Sequence, residues 1–132
     1  MEQPACHRTP LMDYKILGKI GEGTYGIVYK ARRIVPCSEL GGEAEPAVVA
    51  VKKMRLDEHY NGVSVTTLRE VALLKTMKHE NVVRLHKILP DANQLFLVFE
   101  FLDIDLKVCM ESYGKDGLPE ELIKSCILQI LR

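Results

Sequence analysis

Short hydrophobic runs with alternating polar positions recur between residues 14 and 99, a pattern typical of β-strands. The predicted strands cover residues 14–20, 27–29, 47–51, 82–89 and 94–99. A glycine-rich turn at 21–26 joins the first two into a β-hairpin, and Pro, Asp and Asn at 90–93 predict a turn between the last two. Because most connections are short, we expect these strands to form one antiparallel sheet.

Helical periodicity begins after Ser64, which is a predicted N-cap, and continues through Met77. Two further helices are predicted at 104–112 and 119–132, the second with a proline in its first turn. Residues 34–46 are rich in Pro, Gly and Glu and predict an exposed loop. The order of elements predicts an α+β fold in which one helix accompanies a five-stranded antiparallel sheet.

Charge and cysteine content argue against several classes of protein. The 18 Lys and Arg balance the 18 Asp and Glu, so a nucleic-acid or anionic-membrane partner has no electrostatic support. The longest stretch without these charges, 59–68, is too short and too polar to span a bilayer. The four cysteines are far apart and form no C-x-x-C pair, so they indicate no zinc or redox motif. Without a sign of secretion, reduced thiols in a cytoplasmic or nuclear protein are favoured over a disulfide framework.

The glycine-rich turn is the first candidate for chemistry. Gly21, Gly23 and Gly26 form a G-x-G-x-x-G motif followed by Val28, and missing Cβ atoms let backbone N–H groups approach phosphate oxygens. A dinucleotide-binding fold needs a helix beginning in the motif, whereas β-branched residues here predict a strand. The alternative is an ordinary glycine hairpin without a ligand, since the motif alone is a weak signal.

Lys52 and Glu70 are the next candidates, and each also has a simpler explanation. Lys52 ends the buried run 49–51, where its ammonium must stay hydrated or find an anion. Glu70 lies near the apolar stripe of the first predicted helix, where a carboxylate needs a cation such as Lys52. The alternatives are a strand-end lysine pointing to solvent and a boundary glutamate reaching water. Their order after the glycine turn favours a shared site.

Together these features resemble the N-terminal part of a eukaryotic protein kinase, and more narrowly a cyclin-dependent kinase. The segments that carry the resemblance are K-I-G-E-G-T-Y-G-I-V-Y-K-A at 19–31, V-A-V-K-K at 49–53, R-L-D at 55–57, L-R-E-V-A-L-L-K at 68–75 and L-F-L-V-F-E-F-L-D-I-D-L at 95–106. The resemblance implies a leader at 1–12 and a kinase N-lobe at 13–101. The hinge and the truncated start of a C-lobe would follow at 102–132.

The resemblance also implies ATP as the nucleotide and assigns its base contacts. Ile20, Val28 and Ala50 would enclose the adenine, and Phe99 would be the gatekeeper behind it. Glu100 would offer a backbone carbonyl to the adenine edge.

The remaining contacts of the nucleotide follow from the same resemblance. Leu102 would offer a backbone N–H to the adenine, and Asp105 would accept a hydrogen bond from the ribose. Lys52 would hold the α- and β-phosphates under the glycine loop and pair with Glu70, so these two are the implied catalytic residues.

Regulation is implied at two places. Thr24 and Tyr25 match the family's inhibitory phosphorylation positions, where a phosphate would repel the nucleotide's own phosphates. The helix at 64–77 matches the cyclin-contacting helix, although it departs from the best-known version at Ser64, Val65, Thr67 and Leu68. A cyclin-type subunit and protein substrates are therefore the expected partners.

The motifs H-R-D-x-x-x-x-N, D-F-G and A-P-E do not occur in this sequence. In the family they supply the catalytic base and the Mg²⁺ ligands, so we expect no phosphoryl transfer by this chain alone. Because the last predicted helix lacks a C-cap, we interpret the chain as a truncated Ser/Thr kinase. The alternatives are a non-catalytic cyclin-binding fragment and a nucleotide-binding α+β domain with unrelated chemistry.

Overall fold

The structure is a computed structural model that describes residues 10–24, 26–34, 46–54, 63–91 and 94–132. Its strands are β1 (Tyr14–Gly23), β2 (Gly26–Arg33), β3 (Val48–Met54), β4 (Leu85–Asp91) and β5 (Gln94–Glu100). Its helices are α1 (Val65–Thr76), α2 (Leu106–Ser112) and α3 (Glu120–Leu131), with 3-10 turns at Pro10–Asp13 and Gly114–Asp116.

The described strands form one five-stranded sheet in the order β1-β2-β3-β5-β4. Every pair of neighbours is antiparallel, so the predicted α+β class and the antiparallel sheet are confirmed. This is the architecture that the resemblance to a protein kinase implies for an N-lobe and the first helices of a C-lobe. Because β3 pairs with β5, the last strand along the chain, it lies next to the strand that leads into α2.

Hydrophobic side chains fill both faces of the sheet because β5 is apolar at consecutive positions. Phe96 and Val98 join one cluster, with members from β1, β2, β3 and β4. Leu95 and Leu97 point the other way and pack with Val71 of α1. We call this second side of the sheet the α1 face.

Helix α1 begins where the sequence predicts. The Ser64 hydroxyl accepts a hydrogen bond from the Thr67 backbone N–H at 3.1 Å, which satisfies one of the free amides of the first turn. Among the residues of α1, all of which the structure describes, Val71 alone is buried. The helix therefore rests on the sheet through a narrow strip of side chains.

Several predicted boundaries shift for identifiable reasons. Strand β4 begins at Leu85 rather than at residue 82, because the Val82 N–H closes a turn onto the His79 carbonyl at 3.2 Å. The same strand continues through Pro90, which a prediction had placed in a turn. Strand β4 is at the edge of the sheet, and an edge strand tolerates a proline where the backbone nitrogen has no neighbouring strand to donate to.

The helices after the sheet are also shorter than predicted. Helix α2 begins at Leu106 rather than at residue 104, and Asp105 is its N-cap. Pro119 occupies the N-cap position of α3 instead of its first turn. No residue of α3, which the structure describes in full, is buried.

Some predictions fall on residues outside the described ranges. These are most of the leader, the loop residues 35–45, the turn at Asn61 and Gly62, and positions 92–93. Within the described ranges, no helix is both long enough and apolar enough to cross a membrane.

Candidate functional site

The glycine-rich hairpin forms as the sequence predicts, with Gly23 and Gly26 paired at the ends of β1 and β2. Thr24 is exposed at the turn, and Tyr25 lies outside the described residues. Gly26 is buried with φ of 139°, and an ideal Cβ there would lie 2.0 Å from the Lys53 carbonyl oxygen. Packing against β3 therefore explains why this position is glycine.

Packing does not explain the other two glycines of the motif. No atom of the described residues lies within 4 Å of an ideal Cβ at Gly23, and at Gly21 the one neighbour is Val28 Cβ at 4.0 Å. The surrounding protein therefore leaves room for a side chain at both positions. Packing within the sheet therefore explains glycine at position 26 but not at positions 21 and 23.

Lys52 is half-buried on β3, between Val28 of β2 and Leu97 of β5 in the register of the sheet. Directly opposed residues of antiparallel strands point to the same face. Leu97 packs with Val71 of α1, so Lys52 stands on the α1 face. This agrees with a lysine whose stem lies along apolar strand residues.

A second row of paired residues lies next to the first. Lys30, Ala50 and Phe99 are successive partners across β2, β3 and β5. Phe99 packs against the cluster of the α1 face, so this row also points to that side. The sheet thus brings together Val28, Ala50 and Phe99 with Lys52, four residues that the sequence assigns to one site.

Glu70 does not join this group. It is exposed on α1, and among the described residues no ion pair joins it to Lys52. The exposed position agrees with the alternative of a boundary glutamate that reaches water, and pairing of Glu70 with Lys52 stays a prediction. Helix α1 packs through Val71 and Leu74, and the exposed Glu70 lies at the border of this line.

The end of β5 is fixed to the start of β4 by a reciprocal pair of hydrogen bonds. The Glu100 N–H donates to the Arg84 carbonyl at 3.0 Å, and the Arg84 N–H donates to Glu100 Oε1 at 2.8 Å. Phe101 is half-buried after this point and Leu102 is exposed. We call residues 100–102 the hinge segment. Its side-chain anchoring at Glu100 was not predicted from the sequence.

The remaining predicted site residues flank the same region. Ile20 lies at a bulge between Lys19 and Gly21 and is 51% exposed. Asp105 is exposed, and its Oδ1 accepts a hydrogen bond from the Val108 N–H at 2.8 Å as the cap of α2. Oδ1 of this carboxylate is therefore already engaged in the hydrogen bond that caps α2.

A family model described as Protein kinase domain matches residues 14–132, which is every residue from the start of β1 onward. The chain belongs to the protein kinase family. The kinase match covers the glycine hairpin, the Lys52 strand, α1, the hinge segment and the helices after it. This match places the chain among the kinase-type transferases.

One electrostatic pair lies within the glycine hairpin of this kinase domain. Lys19 and Glu22 form a hydrogen-bonded ion pair at exposed positions of β1. The hydrogen bond to Glu22, followed by the charge of that carboxylate, raises the pKa of the Lys19 ammonium above its ordinary value of 10.5. The pair crosses the bulge that displaces Ile20, so it favours the local bend of the strand.

A feature that the sequence analysis missed is a contact between Lys30 and Phe101. The Lys30 Nζ lies 4.3 Å from the centroid of the Phe101 ring. The one signal available from the sequence was the alternation along β2, which places Lys30 on the same face as Val28.

A separate cavity of about 410 Å³ lies away from the glycine hairpin and is lined by residues of the loop after α1 together with Arg84 and Glu100. A larger cavity of about 610 Å³ lies between that loop and α3. Among its lining residues are Met77, His79 and Ile130, and none of the predicted site residues lines it. This second cavity therefore gives no support to the nucleotide site.

Proposed function

We propose that this chain is the ATP-binding part of a cyclin-dependent Ser/Thr protein kinase, whose whole product transfers the ATP γ-phosphate to protein hydroxyl groups. The observation that carries the proposal is the shared face of Val28, Ala50, Lys52 and Phe99, next to the glycine hairpin. An apolar slot that ends at a cation suits a planar base joined to phosphates.

The adenine is proposed to lie beneath Val28 and Ala50, with Ile20 closing the slot from β1 and Phe99 at its rear. All four side chains retain exposed surface, which a bound base would cover. Covering that surface gains about 25 cal/mol per Å² of apolar area removed from water.

The hinge segment is proposed to read the adenine edge through backbone groups. The Glu100 carbonyl would accept a hydrogen bond and the Leu102 N–H would donate one. Support comes from the two hydrogen bonds between Glu100 and Arg84, because they hold this backbone in place before a ligand arrives. Asp105 would accept from the ribose through the oxygen that does not cap α2.

The phosphates are proposed to lie between the hairpin backbone and Lys52, whose ammonium supplies a charge-assisted hydrogen bond. Gly21 and Gly23 suit this arrangement because an ideal Cβ at Gly23 meets no described atom and one at Gly21 meets a single atom. Phosphorylation of Thr24 at the exposed turn would add negative charge next to this path, and the same role is proposed for Tyr25.

Pairing of Lys52 with Glu70 is proposed for a second position of α1. The helix and Lys52 share one face of the sheet, so an inward movement of α1 would bring the carboxylate toward the ammonium. Since Val71 alone of the described helix is buried, such a movement breaks few apolar contacts. Helix movements of this kind are a known route of kinase regulation.

A cyclin-type subunit is the proposed cause of that movement, bound through residues 64–77. Val65 is 65% exposed, Leu73 is 63% exposed and Leu68 is 49% exposed, so α1 presents apolar surface away from the sheet. A partner that covers these side chains would gain hydrophobic free energy and could hold the helix inward. We propose a cytoplasmic or nuclear location because the cysteine pattern favours reduced thiols.

This sequence lacks the residues that hold Mg²⁺ in the family. The catalytic-loop Asn and the D-F-G aspartate that hold Mg²⁺ in the family have no counterpart here, and neither does the catalytic base. We therefore propose nucleotide binding without phosphoryl transfer for the chain alone. A non-catalytic cyclin-binding fragment is the second candidate function, and the exposed apolar side chains of α1 favour it.

The test is ATP binding by calorimetry to the chain and to Lys52→Met, with Lys15→Met as a matched control. Lys15 is an exposed lysine of β1, so its loss removes the same charge away from the proposed site. Losing a charged hydrogen bond worth about 1.5–3 kcal/mol should weaken binding roughly tenfold or more in Lys52→Met. Equal affinity of all three proteins for ATP would contradict the proposal.

A further inference from the structure

Lys30 and Phe101 join two parts of the chain that are far apart in sequence. Lys30 belongs to β2, the second strand of the glycine hairpin, and Phe101 is the middle residue of the hinge segment. The Lys30 Nζ lies 4.3 Å from the centre of the Phe101 ring, and both residues are half-buried. At this distance an ammonium is attracted by the electron-rich face of the ring.

The register of the sheet shows where this contact lies. Lys30 is the direct partner of Ala50, and Ala50 is the direct partner of Phe99. Lys30 therefore points to the α1 face, one row from Val28 and Lys52. The short side chain of Ala50 leaves room for the lysine stem to extend toward the hinge segment, so the contact borders the proposed adenine slot.

We propose that Lys30 is a positioning residue for nucleotide binding, which acts by holding Phe101, and so the hinge segment, at a fixed distance from β2. This inference rests on the proposed function. Lys30 does not touch the adenine; it acts through the backbone on either side of Phe101, at Glu100 and Leu102. A slot whose width is set in advance loses less conformational entropy when the ligand binds.

Calorimetric affinities for ATP and for uncharged adenosine test this inference. We would measure the chain, Lys30→Met, Lys30→Arg, Phe101→Leu and the double variant Lys30→Met with Phe101→Leu. Both Lys30→Met and Phe101→Leu should weaken both ligands by about two- to fivefold, the range of an exposed cation–π contact. Lys30→Arg should retain the original affinity, and the double variant should bind no more weakly than either single one.

Adenosine separates positioning from simple charge. If Lys30→Met weakens ATP alone and Phe101→Leu weakens neither ligand, Lys30 acts as a charge near the phosphates and the inference is wrong. Unchanged affinities in all variants, with normal binding by the original chain, would also overturn it while leaving the proposed function intact. Absence of ATP and adenosine binding by the original chain would reject the proposed function, and this inference with it.

A spectroscopic measurement reports the contact itself. The Lys30 Hε protons should resonate upfield of those of Lys15 because they lie over an aromatic ring, and Phe101→Leu should remove that shift. Equal Hε shifts for the two lysines would contradict the contact on which the inference depends.

Discussion

A Cβ atom on Gly26 would lie 2.0 Å from the carbonyl oxygen of Lys53, closer than any real contact of this kind. The φ of 139° at Gly26 is also one that residues with a side chain rarely adopt. The close pairing of the glycine hairpin with β3 therefore requires glycine at position 26.

Gly26→Ala is expected to destabilise the fold strongly. The unfavourable φ alone costs about 1–3 kcal/mol, and the clash with the β3 backbone adds to it. Urea unfolding followed by circular dichroism would measure the loss. Gly23→Ala is the matched control: the site has open space, so its free energy of unfolding should change by no more than about 0.5 kcal/mol. Equal losses in the two variants would contradict the geometry at Gly26.

Ser64→Ala should remove the cap of α1. The Ser64 hydroxyl accepts the Thr67 N–H, and losing such a cap costs typically about 1 kcal/mol. The measurement is the urea midpoint of the variant, with Ser64→Asp expected to retain most of the stability. A Ser64→Ala protein as stable as the original would show that this cap does not hold the helix start.

Lys19 and Glu22 predict a specific dependence on pH. Since the folded-state pKa of Lys19 is raised, the pair stabilises the hairpin while both groups are charged, and this contribution is lost as the pH rises from 10.5 through the higher folded value. An NMR titration should find Lys19 deprotonating above pH 10.5. In Glu22→Gln the pKa of Lys19 should fall toward 10.5; no change would contradict the pair.

Ile130→Lys should improve solubility without loss of stability. Ile130 is 78% exposed on α3, in a stripe with Ile127, Leu128 and Leu131 that the described residues leave uncovered. A charge there interrupts an apolar patch that favours self-association. Light scattering at increasing concentration would show less aggregation, while the thermal midpoint stays unchanged. A lowered midpoint would show that Ile130 is packed in solution.

Local patterns were sufficient to predict most of the fold. The hairpin follows from alternation on both sides of the glycine turn, and the start of α1 follows from the capping chemistry of Ser64. The face shared by Val28, Ala50 and Lys52 follows from strand periodicity once the register is known, while their role in nucleotide binding stays a prediction.

Positions that depend on tertiary packing could not be predicted in the same way. Helical periodicity gives the apolar stripe of α1 but not the line along which the helix rests, so it leaves open whether Glu70 faces the core or water. The contact of Lys30 with Phe101 depends on β3 lying between β2 and β5, which no local pattern specifies. Pro90 stays within a strand because β4 is at the edge of the sheet.

The most direct test of the account is an amide NMR titration of the chain with ATP, because it shows where the nucleotide binds. The account predicts the largest shifts at Gly21, Gly23, Lys52 and Leu102, with much smaller shifts for the same protons in Lys52→Met. Shifts confined to α3 and the loop after α1, or none at millimolar ATP, would contradict a nucleotide site between the glycine hairpin and the hinge segment.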